Sequence, residues 1–316
     1  MQSGEVVRVS IGRVDNAGSA ADTWWHGLRG GNAGQSLLRG CAGAVHFRGS
    51  GGNARLESHC TAVAGAGIER RCGQLLMGIL AGLRLVEVSA FVAAPSAGLA
   101  MAQMGAEVIR IDDVRGGLDS RRWPVTGDNV SLFWQGLNKN KRSVAIDIRK
   151  PEGQELVREL ICAPGEDAGL FLTNFPPSNW LSYEGLCEVR KDLIQLTVMG
   201  DRHGGSAVDY TVNPAVGVPL FTGPEGHEVP VNNVLPAWDC VTGQMAVSGL
   251  LAAERHRSMT GEGQHIKLAL EDVAMATMGS LGFLAEAELG AERERSGNYL
   301  YGAFGRDFVS GDGVRF

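Results

Sequence analysis

The sequence predicts an α/β protein: a Rossmann-like parallel sheet with flanking helices, followed by a second, smaller domain that is only begun. Three observations lead there. From Met77 onward short apolar strand patterns alternate with helical ones, the order that builds a parallel sheet covered by helices. The first such pair is joined by a helix of small residues that ends at a glycine, a βαβ unit. With 316 residues and 44% apolar content, the chain has enough material to bury a core of that kind.

The elements follow in order. Residues 1–76 are rich in Gly, Ala, Ser and Arg and hold three of the six cysteines, Cys41, Cys60 and Cys72, with no sustained period of two or 3.6. They read as a poorly ordered or non-native N-terminal extension, with Met77 as a natural start. An organelle presequence fits less well because Glu5, Asp15 and Asp22 come early. Arg70-Arg71 before the apolar Leu75–Ala81 imitates a secretion signal, but far from the N-terminus and interrupted by Arg84 and Glu87. Leu83–Val88 alternates as a strand, Pro95 opens a helix through Met104, Gly105 caps it, and Glu107–Ile111 is the second strand. A strand Ser143–Asp147, a helix Pro151–Ile161 with Leu156 and Leu160 on one face, and a strand Leu170–Thr173 come next. A short helix Glu184–Arg190 and a strand Leu193–Val198 complete the alternation. From Gly200 to Pro236 the chain reads as a long, potentially functional loop region.

Pro236 suits a helix start, and Val241, Met245, Gly249, Leu250 and Ala253 recur on one face of a helix running to His256-Arg257. A strand Gln264–Leu270 and a helix from Glu271 to about Leu289 follow. Ser310-Gly311-Asp312-Gly313 signals a hairpin turn, with only Val314–Phe316 left to return. A strand that short leaves its partner an unprotected edge, so the expectation is a chain that stops inside a second domain. The resulting division is an extension at 1–76, a Rossmann-like domain at 77–290, and the truncated start of a smaller domain at 291–316.

The net charge of -6 argues against nucleic acid as the main partner. No apolar run reaches membrane-spanning length, so no membrane partner is expected. The cysteines form no CxxC pair and no zinc-like spacing with histidine, which predicts no metal site and free thiols in a reducing cytoplasm. A nicotinamide-dependent oxidoreductase would use Asp112 or Asp113 for a ribose, but the required GxGxxG is missing, and Pro95 within Ala93–Gly98 removes a backbone donor.

Asp239 falls in the first turn of the Pro236 helix. There the helix dipole and unpaired amides favour an ionised carboxylate, which in a dry pocket is a nucleophile. The same position suits a plain first-turn acid on a core helix. Cys240 is a second nucleophile to consider, although small buried thiols are commoner. Lys139, Lys141, Arg142, Arg149 and Lys150 form the densest basic run, suited to a small polyanion or to a solvated face.

Three stretches together raise this above a generic α/β domain. Gly82–Val88 through Gly105–Ile111, then Asn138-Lys139-Asn140-Lys141-Arg142-Ser143 through Asp147–Gly153, then Trp238-Asp239 through Gly261–Gln264 resemble the family III CoA-transferases across residues 77–316. Ser131–Lys139, Leu235–Asp239 and Gly297–Phe308 further resemble members that move CoA between the two carboxyl groups of mesaconyl-CoA. The resemblance implies Asp239 as covalent catalyst. Its carboxylate attacks the acyl thioester to give a mixed anhydride, and the freed thiolate converts this to an aspartyl-CoA thioester. The released carboxylate then re-enters through its other end; transfer to a second small carboxylic acid and a truncated CoA-binding relative without turnover are the alternatives the same resemblance leaves.

It also implies CoA contacts at Arg149, Asn174 and Phe175, with Lys141 and Arg142 in the supporting basic run, and acyl-group neighbours at Val92 and Tyr210. Val92 departs from a position polar in several relatives, Asp113 from one often basic, and Ser182 from one often arginine. CoA enters as part of an acyl-CoA substrate and not as a permanently bound cofactor. An interlocked homodimer is implied as well. The family's glycine-rich loop over the aspartate would lie beyond Phe316.

Overall fold

The computed structural model describes residues 10–13, 78–176, 179–300, 302 and 304–316. The strands are β1 (Ser10–Arg13), β2 (Arg84–Val88), β3 (Glu107–Asp112), β4 (Arg142–Ala145), β5 (Leu170–Thr173), β6 (Ile194–Met199) and β7 (Gln264–Ala269). The helices are α1 (Ala93–Gln103), α2 (Leu132–Asn138), α3 (Pro151–Ile161), α4 (Tyr183–Val189), α5 (Asp209–Ala215), α6 (Val218–Phe221), α7 (Ala237–Thr260), α8 (Leu270–Ser280) and α9 (Phe283–Glu288).

The strands make one sheet in the order β1-β4-β3-β2-β5-β6-β7. Six run parallel, and β1 alone pairs antiparallel, Ser10 opposite Ala145. The strand order reverses direction between β2 and β5, and the carboxyl ends flanking that reversal are where open α/β sheets bind ligands. The predicted parallel sheet is therefore present. The N-terminal extension, apart from β1, lies outside the described residues.

Strands buried on both faces read as near-continuous apolar runs, and β5 is buried at all four positions. On one face Leu85, Val108, Leu170, Leu172, Ile194 and Leu196 pack against Ala94, Ala97 and Met101 of α1 and Ala246, Val247 and Leu250 of α7. On the other, Val86, Ile111, Val144 and Phe171 pack against Val157 and Ile161 of α3 and Leu186 of α4. The helices α1 and α7 cross closely because Gly243 has no side chain. A Cβ there would overlap Ser96 Oγ and come within 2.8 Å of the Ala93 carbonyl oxygen.

Several expectations shift. α1 starts at Ala93, so Pro95 sits inside its first turn and does not open it. The expected helix from Glu271 to Leu289 is two helices, because Gly282 adopts a left-handed φ of 84° between them. The loop expected between Gly200 and Pro236 contains α5 and α6. On α7 the buried side is Trp238, Thr242, Ala246, Val247, Leu250, Ala253 and Arg257. Of the expected face, Val241 and Gly249 are half-buried and Met245 is exposed. The C-terminal turn forms as expected, with Val309 bridged to Arg315 and Phe308 bonded to Phe316.

Candidate active site

α7 begins at the carboxyl ends of the strands. Its far end is fixed at their amino ends by Arg257, which is buried and donates from Nη1 to the Ala168 carbonyl at 2.8 Å. At its start the sequence creates a problem. Pro236 occupies the N-cap position and has neither a side-chain oxygen nor an N–H. The first amides of α7 therefore need an acceptor from elsewhere. Asp209 of α5 supplies it, its Oδ2 accepting from Trp238 N–H at 2.7 Å and Asp239 N–H at 3.2 Å. One turn along α5, Asn213 Oδ1 accepts from Trp238 Nε1 at 2.9 Å.

Asp239 is half-buried, and its carboxylate accepts no hydrogen bond from the described residues. Burial, then the negative charge of Asp209, push its pKa up to about 6, with Arg122 pulling the other way. The helix-start argument from sequence thus gives way to desolvation, because Asp209 already occupies the amides that would have stabilised the charge. At neutral pH Asp239 is still mostly ionised. Burial raises the Cys240 thiol, and Asp239 and Asp209 raise it further, which disfavours the thiolate and the cysteine-nucleophile alternative.

Arg122 faces this carboxylate from the segment between β3 and α2. Its guanidinium lies 5.4 Å from the Phe91 ring and 5.1 Å from the Phe133 ring, and forms no ion pair among the described residues. Phe91 has φ 65°, a conformation unusual for a bulky residue, and its N–H is held by Asp119 Oδ2 at 2.9 Å. Val92 follows, nearly buried, as the residue preceding α1. No side chain caps α1, and the amides of Ala93 and Ala94 find no acceptor among the described residues.

Beneath the site lies a buried charge network. Glu87, fully buried on β2, meets Arg110 Nη1 at 2.8 Å and Lys141 Nζ at 2.8 Å. Arg110 also bonds Asp112 at 2.9 Å and lies 3.7 Å from Asp119. Lys141 further donates to the Pro95 carbonyl at 2.8 Å and to Asn138 Oδ1 at 2.9 Å. Its three protons are thus committed inside the protein, so Lys141 is not available to a phosphate. Arg142 is likewise displaced from the expected CoA contacts. It opens β4 at the amino end of the sheet, paired with Glu107 at 2.6 Å, beside an apolar groove of 330 Å³.

The remaining expected contacts converge at the carboxyl ends. A cleft of 290 Å³ between β2, β3 and β5 is lined by Ser89, Ala90, Asp113, Arg115, Asp119 and Phe175, among others. Arg149 stands at its rim, 2.8 Å from Asp147 and 3.9 Å from Asp113. Asn174 ties β5 to β2 across the reversal point, accepting from Ala90 N–H at 3.0 Å and donating to Ala90 O at 2.7 Å. Phe175 also borders a neighbouring cleft of 280 Å³ along Met199, Gly200 and Gly204–Ala207. Tyr210 adjoins Asp209 but is 52% exposed. Ser182 serves as a helix cap, its Oγ accepting from Gly185 N–H at 3.2 Å. Among the described residues no group of three or more His, Cys, Asp or Glu is placed to hold a metal, and no helix is long and apolar enough to cross a membrane.

Sequence reasoning missed Asp209, Arg122 and Asp119. The one local signal was the proline at the start of α7, which calls for a cap from elsewhere in the chain.

Comparison with known proteins agrees with this architecture. The model of CoA-transferase family III matches residues 80–313. The chain is 62% identical over 242 residues to a 2-methylfumaryl-CoA isomerase of Chloroflexus aurantiacus, covering 76% of this chain and 59% of that protein. It is 34% identical over 216 residues to a succinate–glutarate CoA-transferase of Agrobacterium fabrum, covering 63% of this chain and 52% of that one. The chain thus spans between half and three-fifths of the length of these relatives. A CAIB/BAIF family protein from Brucella suis superposes with a TM-score of 0.65 at 26% identity, covering 75% of this chain and 65% of that one. With the family model matched across most of the chain and the sheet shared with that crystal structure, this chain belongs to CoA-transferase family III.

Proposed function

We propose that the chain transfers CoA between carboxylates through a covalent intermediate on Asp239, and that its substrate is mesaconyl-CoA, isomerised by moving CoA from one carboxyl group to the other. The observation that carries this is the Asp239 carboxylate itself. It is half-buried, without hydrogen-bond partners among the described residues, titrates at about 6, and faces the cation of Arg122. The name of the 62% identical relative supports the choice of acyl group.

Asp239 Oδ attacks the thioester carbonyl carbon, the C–S bond breaks, and the CoA thiolate leaves a mixed anhydride behind. The thiolate then attacks the Asp239 carbonyl, expelling the mesaconate carboxylate and forming the aspartyl-CoA thioester. Reversal through the other carboxylate returns Asp239 and yields the regioisomer. Each attack develops an oxyanion, and the uncommitted amides of Ala93 and Ala94, at the start of the helix that α7 packs against, are the donors this reading assigns to it. Arg122 fits the substrate's free carboxylate, since its guanidinium lies beside two rings and forms no ion pair among the described residues. Arg149 and Arg115 at the cleft rim suit CoA phosphates, and Phe175 and Val92 suit apolar parts of the substrate.

The division at residues 77–290 and 291–316, the homodimer and the cytoplasmic location belong to the same proposal. Val234, Leu235 and Phe304 are exposed and apolar, surface that a second copy would cover. Elution of the purified chain at twice its mass checks that part. The catalytic reading is tested by incubating the protein with one mesaconyl-CoA regioisomer, without added acid, and separating the thioesters by chromatography. The second regioisomer should form with the unchanged chain and not with Asp239→Ala. Equal formation with both refutes Asp239 as nucleophile.

A further inference from the structure

We propose that Asp209 is a positioning residue for Asp239. By capping α7 from outside that helix, it leaves the nucleophile's carboxylate free to face the substrate. The proposal rests on the reading of Asp239 as nucleophile.

An acid in the third position of a helix ordinarily has work within the helix. It reaches back to the N-cap N–H, or offsets the charge of the unpaired first amides. In α7 neither partner is left. The N-cap is Pro236, which has no N–H, and the amides of Trp238 and Asp239 are both taken by Asp209 Oδ2. Asp239 is therefore in the helix by backbone and outside its capping pattern by side chain.

The clamp is built to hold that arrangement. Asp209 and Asn213 lie four residues apart on one face of α5, so both reach the same neighbour. They grip Trp238 by its backbone N–H and its indole N–H. Both are buried, and Asn213 is held in turn by Asn232 and Asn233. Trp238 packs with Val212 of α5 and with Leu270, Ala274 and Met278 of α8, so the start of α7 cannot tilt without opening that cluster.

A structural cap needs only one neutral oxygen, as Ser131 and Ser182 show at α2 and α4. Asp209 brings more. Its second oxygen, Oδ1, is buried and accepts no hydrogen bond from the described residues. Burying a bare carboxylate oxygen is costly, and here its negative charge stands beside the nucleophile. The charged groups facing Asp239 are Asp209 from α5 and Arg122 from the β3–α2 segment, with Cys240 as its titratable neighbour on α7. Asp209 thus has two effects on Asp239: it releases the carboxylate, and it raises its basicity against the opposing pull of Arg122.

The test is the titration of Asp239 in the full chain, read by carboxyl carbon NMR and assigned by the signal lost in Asp239→Asn. The acid limb of the mesaconyl-CoA isomerisation rate is followed alongside. Asp209→Asn keeps an oxygen for the two amides and removes the charge. Its Asp239 should titrate about one pH unit lower, and the acid limb should move with it. Asp209→Ser, whose hydroxyl also caps, makes the same comparison if the first variant does not fold. A folded variant whose Asp239 titrates where it does in the unchanged chain overturns the proposal, as does a uniform loss of rate at every pH with no change in titration. The titration needs no turnover, so it decides the role of Asp209 independently of whether the unchanged chain isomerises mesaconyl-CoA, and the isomerisation assay bears on the nucleophile reading alone.

Discussion

Glu87→Gln should cost this protein about 3–5 kcal/mol, the range for breaking a buried ion pair from one side. Glu87 is fully buried and is the partner that Lys141 and Arg110 share. Arg110 would keep Asp112 at 2.9 Å and Asp119 at 3.7 Å. Lys141 would keep only neutral acceptors, the Pro95 carbonyl and Asn138. Its pKa is already depressed to about 8, because burial outweighs the help of Glu87. Removing that help lowers it further in the folded state, while the unfolded chain stays near ~10.4. Between those values the unfolded state binds the extra proton, so stability rises with pH. The variant gives up its Lys141 proton at a lower pH than the unchanged protein does, so the stability gap between the two should be wider at pH 7 than at pH 9. Urea unfolding at both pH values, monitored by tryptophan fluorescence, measures it. A gap below about 1 kcal/mol, or one that is the same at pH 7 and pH 9, refutes the argument that Glu87 holds a charged Lys141.

Three further outcomes are expected. The Asp239 pKa of about 6 means that the rate at limiting substrate falls about tenfold between pH 7 and pH 5, because the nucleophile is protonated on the way down; a limb near pH 4 in the pH–rate profile contradicts this. Gly243→Ala should lower stability by about 1–3 kcal/mol by pushing α7 off α1, and adding Ser96→Ala should recover part of that loss, a coupling that a double-mutant cycle of unfolding midpoints reads. Arg122→Met should reduce kcat/KM by about 10–100-fold, the loss of a charge-assisted bond, with Arg122→Lys intermediate; equal rates for all three would remove Arg122 from substrate binding.

What the sequence discloses depends on how far away a residue's partner lies. Every strand of the parallel sheet is legible: β5 and β6, buried on both faces, announce themselves by their own apolar runs, and the half-buried β7 by its alternation. α3 is legible to the residue, since Pro151 suits its first turn and its apolar positions keep the helical period. α5 is not. Its seven residues include Pro214, a helix breaker by rule, and it is held by Thr211 bonding back to Val208 and by Asn213 and Asp209 gripping α7. The face of α7 is misjudged for a related reason. That helix is wedged between α1 and the sheet, with Gly243 against Ser96 and Gly249 near Leu196, so small residues mark its contacts as much as large ones do.

The basic run shows the limit most clearly. As a linear pattern, Asn138-Lys139-Asn140-Lys141-Arg142 looks like a phosphate site, but three-dimensional structure divides its members among different tasks. Asn140 turns the chain at φ 67°, Asn138 and Lys141 complete the Glu87 network, and Arg142 pairs with Glu107 at the far end of the sheet. The network reaches the reaction site indirectly. Arg110 stands 3.7 Å from Asp119, whose Oδ2 holds the strained Phe91 amide and whose carbonyl accepts from Arg122 N–H at 3.0 Å. The cation facing Asp239 is thus set by charges paired in the core, while Asp239 is left unpaired by the cap from Asp209. Substitutions in the core network should therefore change stability and the placement of Arg122 together, whereas the charge-removing Asp209→Asn should shift the titration of Asp239 with Arg122 left in place. Measuring unfolding midpoints and Asp239 titration on both sets of variants separates the two supports.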